Sequence, residues 1–428
     1  SVSATLGKES LRQGLVAGVV GLILVLLFLL AYYRILGLVA ALALLIYSAL
    51  LFAVIELVPV TLTLPGIAGI ILTIGIASDA NVVIFERVRE ESRAGQAPRV
   101  AILNGYKKGI GAIIDANVVT LATAAILFLF ATAGVKGFAF TLFVGVLLSF
   151  FTAVVATRAV FGVIADSRVL RDDRFMGLNM KQPGWEMDWV KRWKLWLVIS
   201  FVPIIVGMGW IGVNGLNLGL DFESGTRLTI QFEEQPSEEE VRAVFSDLGY
   251  TAKVQATEVA SEGGGPAETG YQITTETLQT EARAQVTSAL EERFGQSTTD
   301  EFTLVGPTFG RQIIDKAITA IILSFIAIAI YLSVRFEYKL AFPAMLSVVQ
   351  DVLLSVSIYA FTGREVTAAT VAALLTVLGY SLYDVVIVFD RIRENVPILR
   401  GRPYRDVVNR SIREVLSRSL ITTFTTLV

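Results

Sequence analysis

The chain has 428 residues, of which 54% are hydrophobic and only 17% are charged, and its mean hydropathy is +0.66. The apolar share of an ordinary soluble domain is nearer ~45–50%, so the composition indicates an integral membrane protein. Cysteine and histidine are both absent, which excludes disulfides and thiolate metal sites and leaves carboxylates as the natural proton carriers. The net charge of −2 points to no nucleic-acid partner.

Nine apolar stretches approach the ~20 residues that a helix needs to cross hydrocarbon. A tenth begins near residue 416 and runs to the last residue. Because the first eleven residues lack the order of a signal peptide and the chain stops within an apolar stretch, we expect further helices at both ends. The nine predicted spans are 12–33, 36–57, 62–85, 109–133, 137–164, 194–213, 313–334, 339–361 and 364–389.

Lysine and arginine collect in three segments, 86–108, 165–194 and 390–415. Such segments face the cytoplasm in membrane proteins. Threading the nine spans alternately from this choice places the one large polar region, about 214–312, on the outer side.

This outer region alternates between strand and helix patterns. The acidic run that ends at Glu240 is interpreted as the solvated start of a helix, with an acidic binding face as the alternative. The glycine-rich stretch 262–270 is interpreted as a hairpin loop, since no GK[ST] follows it. The resulting order, βαββαβ, is that of the ferredoxin-like fold, and we expect 218–306 to be soluble when it is expressed alone. The predicted strands are 226–232, 251–257, 270–275 and 301–305, and the predicted helices are 237–248 and 278–294.

An internal repeat relates two parts of the chain. "LTIGIASDANVVIFERVREE" (72–91) and "TVLGYSLYDVVIVFDRIREN" (376–395) share a glycine, an apolar run and a charged end. The repeat predicts a helical bundle of two pseudo-symmetric halves. When Phe85 is aligned with Phe389, Asp79 falls one position before the equivalent of Asp384. One residue is ~100° of helix rotation, so the two acids are not expected to be equivalent.

Four charged residues within the apolar segments are candidates for a proton pathway: Asp79, Asp384, Arg418 and Asp115. A charge at the bilayer centre costs at least ~2.5–3.5 kcal/mol and usually marks an ion or proton path. The alternative is that each acid is a structural hydrogen-bonding group, and that Arg418 extends to the interface. We expect Asp384 and Arg418 to approach across adjacent helices, directly or through one water.

Several motifs resemble the SecD/SecF family of protein-export membrane proteins, which belongs to the resistance-nodulation-division superfamily. "GIASDANVVIFERVREE", "IDANVVTLATAAILF" and "GVKGFAFT" resemble SecD, while "GLDFESGTRL", "GYSLYDVVIVFDRIREN" and "SRSLITT" resemble SecF. The order is similar to a SecD–SecF fusion that lacks the N-terminal SecD part and the last SecF helices. Ser224 departs from the pattern, because the family usually has glycine there.

The resemblance implies a proton-motive-force-driven accessory component of the Sec translocon in the bacterial cytoplasmic (inner) membrane. It places the family's proton-path residues on Asp79, Asp384 and Arg418. It implies the SecYEG translocon, a translocating preprotein and an accessory membrane protein of the YajC type as partners, with no cofactor, no metal and no enzymatic activity. The implied division is a SecD-like half with five helices (1–165), a cytoplasmic linker (166–193), the first SecF-like helix (194–213), the outer ferredoxin-like domain (214–312) and a truncated SecF-like half (313–428).

Two alternatives remain open from the sequence. One is a proton-coupled small-molecule or lipid exporter of the same superfamily, which would need two much larger outer loops. The other is a passive translocon scaffold, which would need no titrating acids in its core.

Overall fold

Long apolar helices make up most of the chain that the structure describes. The structure, a computed structural model, describes residues 4–58, 63–164, 187–232, 234–259, 268–295 and 297–427. Nine helical segments in these ranges are long and apolar enough to cross a membrane, and each coincides with a predicted span. The helices are α1 (Ala4–Tyr33), α2 (Ile35–Leu57), α3 (Leu64–Arg93), α4 (Pro98–Phe130), α5 (Ala133–Phe151), α6 (Thr157–Ile164), α7 (Trp193–Asn214), α8 (Leu220–Glu223), α9 (Glu238–Asp247), α10 (Thr280–Phe294), α11 (Pro307–Arg335), α12 (Tyr338–Thr362), α13 (Ala368–Ile398) and α14 (Tyr404–Leu427).

Three of these helices extend beyond their apolar stretches through charged sequence. α3 continues to Arg93, α4 begins at Pro98 and α13 continues to Ile398, whereas hydropathy alone placed these ends at 85, 109 and 389. Proline is favoured in the first turn of a helix, where its missing N–H is not needed, which accounts for the start of α4. The charged ends of α3 and α13 are held by ion pairs described below.

The predicted tenth apolar stretch falls in the second half of α14. This helix begins in charged sequence and is not among the nine segments that are apolar enough to span a membrane. The predicted linker 166–193 and the glycine-rich loop 262–270 lie largely outside the described residues.

The membrane helices form a compact unit in which α3 packs against α4, α5 and α14. Tyr33, Phe85 and Phe161 are fully buried in it and meet edge to face, with ring centroids 5.6 and 5.9 Å apart. Gly145 allows α5 to approach α3, because a methyl group there would lie 2.6 Å from the Thr73 side chain. Close approach at small residues is the usual way in which membrane helices pack.

A second compact unit contains Leu216–Thr319 together with Glu365–Thr370. Its antiparallel sheet has the order β2-β3-β1-β4 and is covered by α9 and α10, whose apolar residues form the core with the sheet. The predicted ferredoxin-like fold is confirmed. Its strands are β1 (Gly225–Phe232), β2 (Ala252–Val259), β3 (Glu268–Thr275) and β4 (Ser297–Val305).

Within this unit, α8 and β1 are bonded to Glu365, which precedes α13, and to the first residue of α13. Arg227 forms an ion pair with Glu365, and the Leu220 N–H donates to the same carboxylate at 3.3 Å. The Ala368 N–H, at the start of α13, donates to Asp221 Oδ2 at 2.9 Å. We call these contacts the domain link. They tie the start of α13 to the ferredoxin-like domain.

The turn into β1 holds Ser224 in a left-handed conformation, with φ of 61°, and Gly225 follows with φ of 139°. Only glycine adopts such angles without steric cost.

Ser224→Gly is therefore expected to raise the free energy of unfolding of the domain by about 0.5–1 kcal/mol, as measured by chemical denaturation of 218–306. Gly225→Ala is the matched contrast, because its methyl group would collide with the Thr275 carbonyl oxygen. Equal stability of the wild type and Ser224→Gly would show that the turn carries no strain.

The acidic run begins α9 with a capping box, which confirms its interpretation as a helix start. The Ser237 hydroxyl accepts from the Glu240 N–H at 3.3 Å, and the Glu240 carboxylate accepts from the Ser237 N–H at 2.8 Å. The Ser237 backbone N–H, assisted by its hydroxyl, holds the pKa of Glu240 below its ordinary value of 4.5.

This cap predicts a pH dependence. Since the pKa of Glu240 is lower in the folded than in the unfolded state, its stabilising effect is fully present above about pH 4.5 and is lost as the pH falls through the folded value. Glu240→Gln should therefore lower the melting temperature of 218–306 at pH 7, and the difference should shrink toward pH 3. A difference that does not change with pH would contradict the cap's ionic character.

Candidate functional site

Asp79 lies where the two repeated halves meet. It is on α3 and only 3% exposed. Thr425 Oγ1 donates to its Oδ1 at 2.9 Å, the Tyr380 hydroxyl donates to its Oδ2, and Thr426 Oγ1 lies 3.4 Å from Oδ2. All three hydroxyls come from α13 and α14, so helices of the second half hold a carboxylate of the first.

Asp384 on α13 faces α14 at the level of Arg418. Arg418 is 6% exposed, and its Nη2 donates to the Tyr383 hydroxyl at 3.1 Å. Ser419, the next residue of α14, lies with its hydroxyl 3.4 Å from Asp384 Oδ1. Arg418 makes no ion pair with Asp384 within 4 Å in the described chain and contacts the residue before it instead. The direct pairing of Asp384 with Arg418 is therefore not formed. The other predicted form, a bridge through one water, remains a prediction.

A small cavity borders Asp79 between α3, α4 and α13. Its volume is about 30 Å³, which exceeds the ~10–15 Å³ needed to hold one water molecule. Tyr380 and Tyr383 both line it, with ring centroids 6.4 Å apart. Since Tyr380 bonds to Asp79 and Tyr383 to Arg418, the two tyrosines lie between the two charged sites.

The one-residue offset in the repeat gives the two acids different surroundings. Tyr383, and not Asp384, occupies the repeat position of Asp79. Asp79 accepts hydrogen bonds from three hydroxyls, whereas Asp384 has a single long contact from Ser419. The two carboxylates are therefore not equivalent, as the repeat predicts.

Asp351 is an acid of this region that the sequence reasoning missed. It lies on α12, is half-buried, and accepts a hydrogen bond from the Ser381 hydroxyl on α13. The sequence pattern that marked Asp384 also occurs at Asp351. In "VVQDVLL" (348–354) a lone carboxylate lies in an apolar helix, as it does around Asp384. The second half thus carries two partly buried acids, Asp384 on α13 and Asp351 on α12.

Asp115 occupies a different environment from the other three predicted residues. Arg335 on α11 pairs with it at 2.6 Å and also with Asp390 on α13 at 3.2 Å. Asp115 therefore belongs to an ion cluster between α4, α11 and α13, and the structure does not bring it together with Asp79, Asp384 or Arg418.

Four charges at repeat-equivalent positions join the ends of α3 and α13. Arg87 pairs with Glu90 of its own helix at 3.0 Å and with Glu394 at 3.1 Å. Arg391 pairs with Glu394 of its own helix at 3.0 Å and with Glu90 at 3.5 Å. We call this group the charge quartet. Each arginine pairs with the same two repeat positions, so the quartet is a pseudo-two-fold contact between the halves.

The chemistry of this arrangement allows protons to pass between neighbouring side chains. Carboxylates, tyrosines and hydroxyl side chains succeed one another across the contact between the halves. Among the described residues no cluster of three or more metal-ligating side chains occurs.

The chain contains two repeated halves of membrane helices, and a ferredoxin-like domain is inserted between them in the sequence. Acids lie where the two halves meet. These features define a class of pseudo-two-fold membrane proteins. The family model "Protein export membrane protein SecD/SecF, C-terminal" matches residues 1–165 and 285–428, and the model "SecD/SecF GG Motif" matches 209–236. The chain belongs to this family. The second match includes the turn at Ser224 and Gly225.

Relatives and solved structures agree with this assignment. The chain is 33% identical to the protein translocase subunit SecDF of Bacillus subtilis (strain 168), covering 100% of the chain and 60% of that protein. It is also 33% identical to SecDF of Thermus thermophilus, covering 100% of the chain and 57% of that protein. The crystal structure of SecDF from Thermus, titled a translocon-associated membrane protein, matches with a TM-score of 0.88 at 32% identity, over 100% of this chain and 58% of that one. The chain thus spans somewhat over half the length of these relatives.

Proposed function

We propose that the chain is part of a proton-motive-force-driven accessory component of the Sec translocon that promotes preprotein export across the bacterial cytoplasmic membrane. The carrying observation is the position of Asp79, a buried acid of one half whose hydrogen bonds all come from the other half. Gain or loss of a proton there changes the contacts that join the halves. A passive scaffold has no need of such an acid.

The domain link supplies a route from the membrane to the inserted domain. α13 carries both Asp384 and Tyr380, and its first residue is bonded to Asp221 of the ferredoxin-like domain. A shift of α13 on protonation would therefore pull on this domain. In the proposal, the domain lies on the extracytoplasmic side, where it holds an emerging preprotein.

Two solved SecDF structures support an equilibrium between conformations. At the same 32% identity, one matches this chain with a TM-score of 0.88 and the other, titled a super-membrane-facing form, with 0.73. One elementary charge that crosses 100 mV is worth ~2.3 kcal/mol, so a few protons per cycle suffice to shift such an equilibrium.

The proposed partners are the SecYEG translocon, a translocating preprotein and a membrane protein of the YajC type. The titles of the relatives name a protein translocase subunit and a translocon-associated protein, which supports this assignment. The proposed role is mechanical and involves no enzymatic reaction.

Preprotein translocation into membrane vesicles tests the proposal. Vesicles that hold the translocon, with or without the full-length protein, are compared before and after an uncoupler collapses the proton gradient. We expect the protein to stimulate translocation only while the gradient exists. Stimulation that survives the uncoupler would favour the passive scaffold, and proton-coupled efflux of small molecules without preprotein would favour the exporter.

A further inference from the structure

Tyr380 on α13 connects the carboxylate of Asp79 with α14. Its hydroxyl contacts Asp79 Oδ2 and also lies 2.6 Å from Thr426 Oγ1, where either oxygen can be the donor. Thr426 Oγ1 in turn lies 2.9 Å from the backbone carbonyl oxygen of Thr422, one turn earlier in α14. We call Asp79, Tyr380, Thr426 and the Thr422 carbonyl group the hydroxyl chain. It runs from a buried acid of the first half to the backbone of a helix of the second half.

The hydroxyl chain has fewer protons than contacts while Asp79 is ionised. Tyr380 and Thr426 carry one hydroxyl proton each, but the chain contains three contacts. The ionised carboxylate can only accept, so Tyr380 donates to it. The Thr426 hydroxyl then points toward the tyrosine oxygen and the carboxylate beyond it, and the Thr422 carbonyl oxygen lacks the hydrogen bond from this side chain.

A proton on Asp79 Oδ2 reverses the directions of these bonds. The protonated carboxyl group donates to the Tyr380 oxygen, and Tyr380 donates to Thr426. Thr426 is then free to donate to the Thr422 carbonyl oxygen, so three protons serve three contacts. The tyrosine keeps its own proton throughout, because only the direction in which that proton points has changed.

The last bond of the hydroxyl chain acts on the shape of α14. A threonine hydroxyl that donates to the carbonyl group four residues earlier slightly destabilises a helix and often bends it. Thr422 lies one turn after Arg418, and the hydroxyl of Ser419 lies 3.4 Å from Asp384 Oδ1. A change in the curvature of α14 at this turn would therefore move Arg418 and Ser419 relative to Asp384.

Tyr380 is the titratable side chain that reaches Asp79 directly among the described residues. The α4 side chains that line the cavity beside Asp79 are uncharged. The other charged or titratable groups that face this region are Tyr383 and Asp384 on α13 and Arg418 on α14.

Given the proton-driven function proposed above, on which this inference rests, we infer that Tyr380 is a positioning residue that transmits the protonation state of Asp79 to α14. It does so by reversing its hydrogen bonds, and it is not itself a proton carrier. The receiving group is the Thr422 carbonyl, through Thr426. The acid of the first half thereby acts on the helix that carries Arg418.

Tyr380→Phe tests this role, because it removes the hydroxyl group and keeps the aromatic ring. Loss of a hydrogen bond to a charged group shifts an equilibrium about tenfold or more, so we expect gradient-dependent stimulation of export to fall at least about tenfold at matched membrane abundance. Thr426→Val should cause a similar loss, whereas Thr426→Ser keeps a hydroxyl group and should retain most of the stimulation. Thr423→Val is the matched control and should leave stimulation unchanged, because the exposed Thr423 donates to the Ser419 carbonyl oxygen at 2.8 Å and makes no contact with Asp79.

A distance measurement separates transmission from a merely structural role. The chain has no cysteine, so spin labels can be attached selectively to Ala94→Cys after the end of α3 and to Tyr404→Cys at the start of α14. The distance between the labels, measured by pulsed electron paramagnetic resonance, should change between neutral and acidic pH because the curvature of α14 changes. Tyr380→Phe and Asp79→Asn should each abolish this change, and Thr423→Val should preserve it.

The outcomes distinguish this inference from the proposed function. If the distance responds to pH equally in the wild type and in Tyr380→Phe, Tyr380 does not transmit the signal, while the proton-driven function stands. If the wild type does not respond and Asp79→Asn exports normally, both are overturned. Melting temperatures in detergent check that each variant is folded, and Thr426→Val decides the question if Tyr380→Phe does not fold.

Discussion

Replacement of Asp79 or Asp384 by asparagine is expected to abolish most proton-driven stimulation of export while the protein still inserts into the membrane. Asparagine keeps the shape of the side chain but cannot gain or lose a proton. Removal of a positioned proton-transfer group typically costs 10²–10⁴ in rate, so we expect a drop on the order of 100-fold in the gradient-dependent component. The measurement is preprotein translocation at matched membrane abundance, with and without the proton gradient.

The two variants should differ in stability. Asp79 accepts hydrogen bonds from Tyr380, Thr425 and Thr426, and the asparagine amide group can replace only part of this acceptance. Asp79→Asn is therefore expected to cost about 1–2 kcal/mol. Asp384→Asn should cost less, because Asp384 has only the 3.4 Å contact from Ser419. Thermal melting in detergent separates this loss from the loss of coupling.

Three further variants decide between a proton carrier and a structural acid. Asp384→Glu still titrates and should retain more activity than Asp384→Asn, whereas a packed structural position would reject the longer side chain. The exposed Asp406 on α14 provides the control, and Asp406→Asn should leave activity unchanged. Asp351→Asn shows whether the acid beside Ser381 belongs to the same pathway. Full activity in both Asp79→Asn and Asp384→Asn would mean that these acids are structural and that the proton-driven mechanism is wrong.

Much of the fold could be predicted from one-dimensional patterns. Hydropathy located all nine spans because a helix in lipid must satisfy its own backbone, so its length is fixed by the bilayer. Alternation and turn residues located the strands of the ferredoxin-like domain, and Ser237 with Glu240 marked the start of α9. The cost of a charge in hydrocarbon singled out Asp79 and Asp384, and the same rule applied to every helix would have found Asp351.

The partners of these residues could not be predicted in the same way. Thr425, Thr426 and Tyr380 are ordinary residues of membrane helices, and only the packing of α3 against α14 and α13 brings them to Asp79. The pairing of Asp115 with Arg335 joins residues 220 positions apart. Hydropathy also ended α3 and α13 too early, because charged side chains that neutralise one another let a helix continue where its sequence looks polar.

Charge reversal within the quartet is the second large effect that we expect. Arg87→Glu would place a third carboxylate beside Glu90 and Glu394, where the remaining cation of the quartet, Arg391, also pairs with Glu414 at 2.6 Å. The Arg87 side chain is 10% exposed and that of Glu394 is 42% exposed. An exposed ion pair is worth about 0–1 kcal/mol, whereas breaking a buried pair costs about 3–5 kcal/mol. The energy of the partly buried Arg87–Glu394 pair is expected to fall between these two values. We expect a loss of about 2 kcal/mol, measured as a lower melting temperature in detergent, together with weaker export.

The double variant Arg87→Glu/Glu394→Arg tests whether the two halves are joined through this pair. It restores opposite charges across α3 and α13 and should recover part of the lost stability, with a coupling of about 1 kcal/mol in a double-mutant cycle. Arg402→Glu, on the exposed loop before α14, is the control for a simple change of net charge. If the single reversal melted like the control, the quartet would be a set of solvated surface pairs. The double variant could also recover stability without recovering export. In that case the conformational change would need each charge on its original helix, in addition to the association of the two halves.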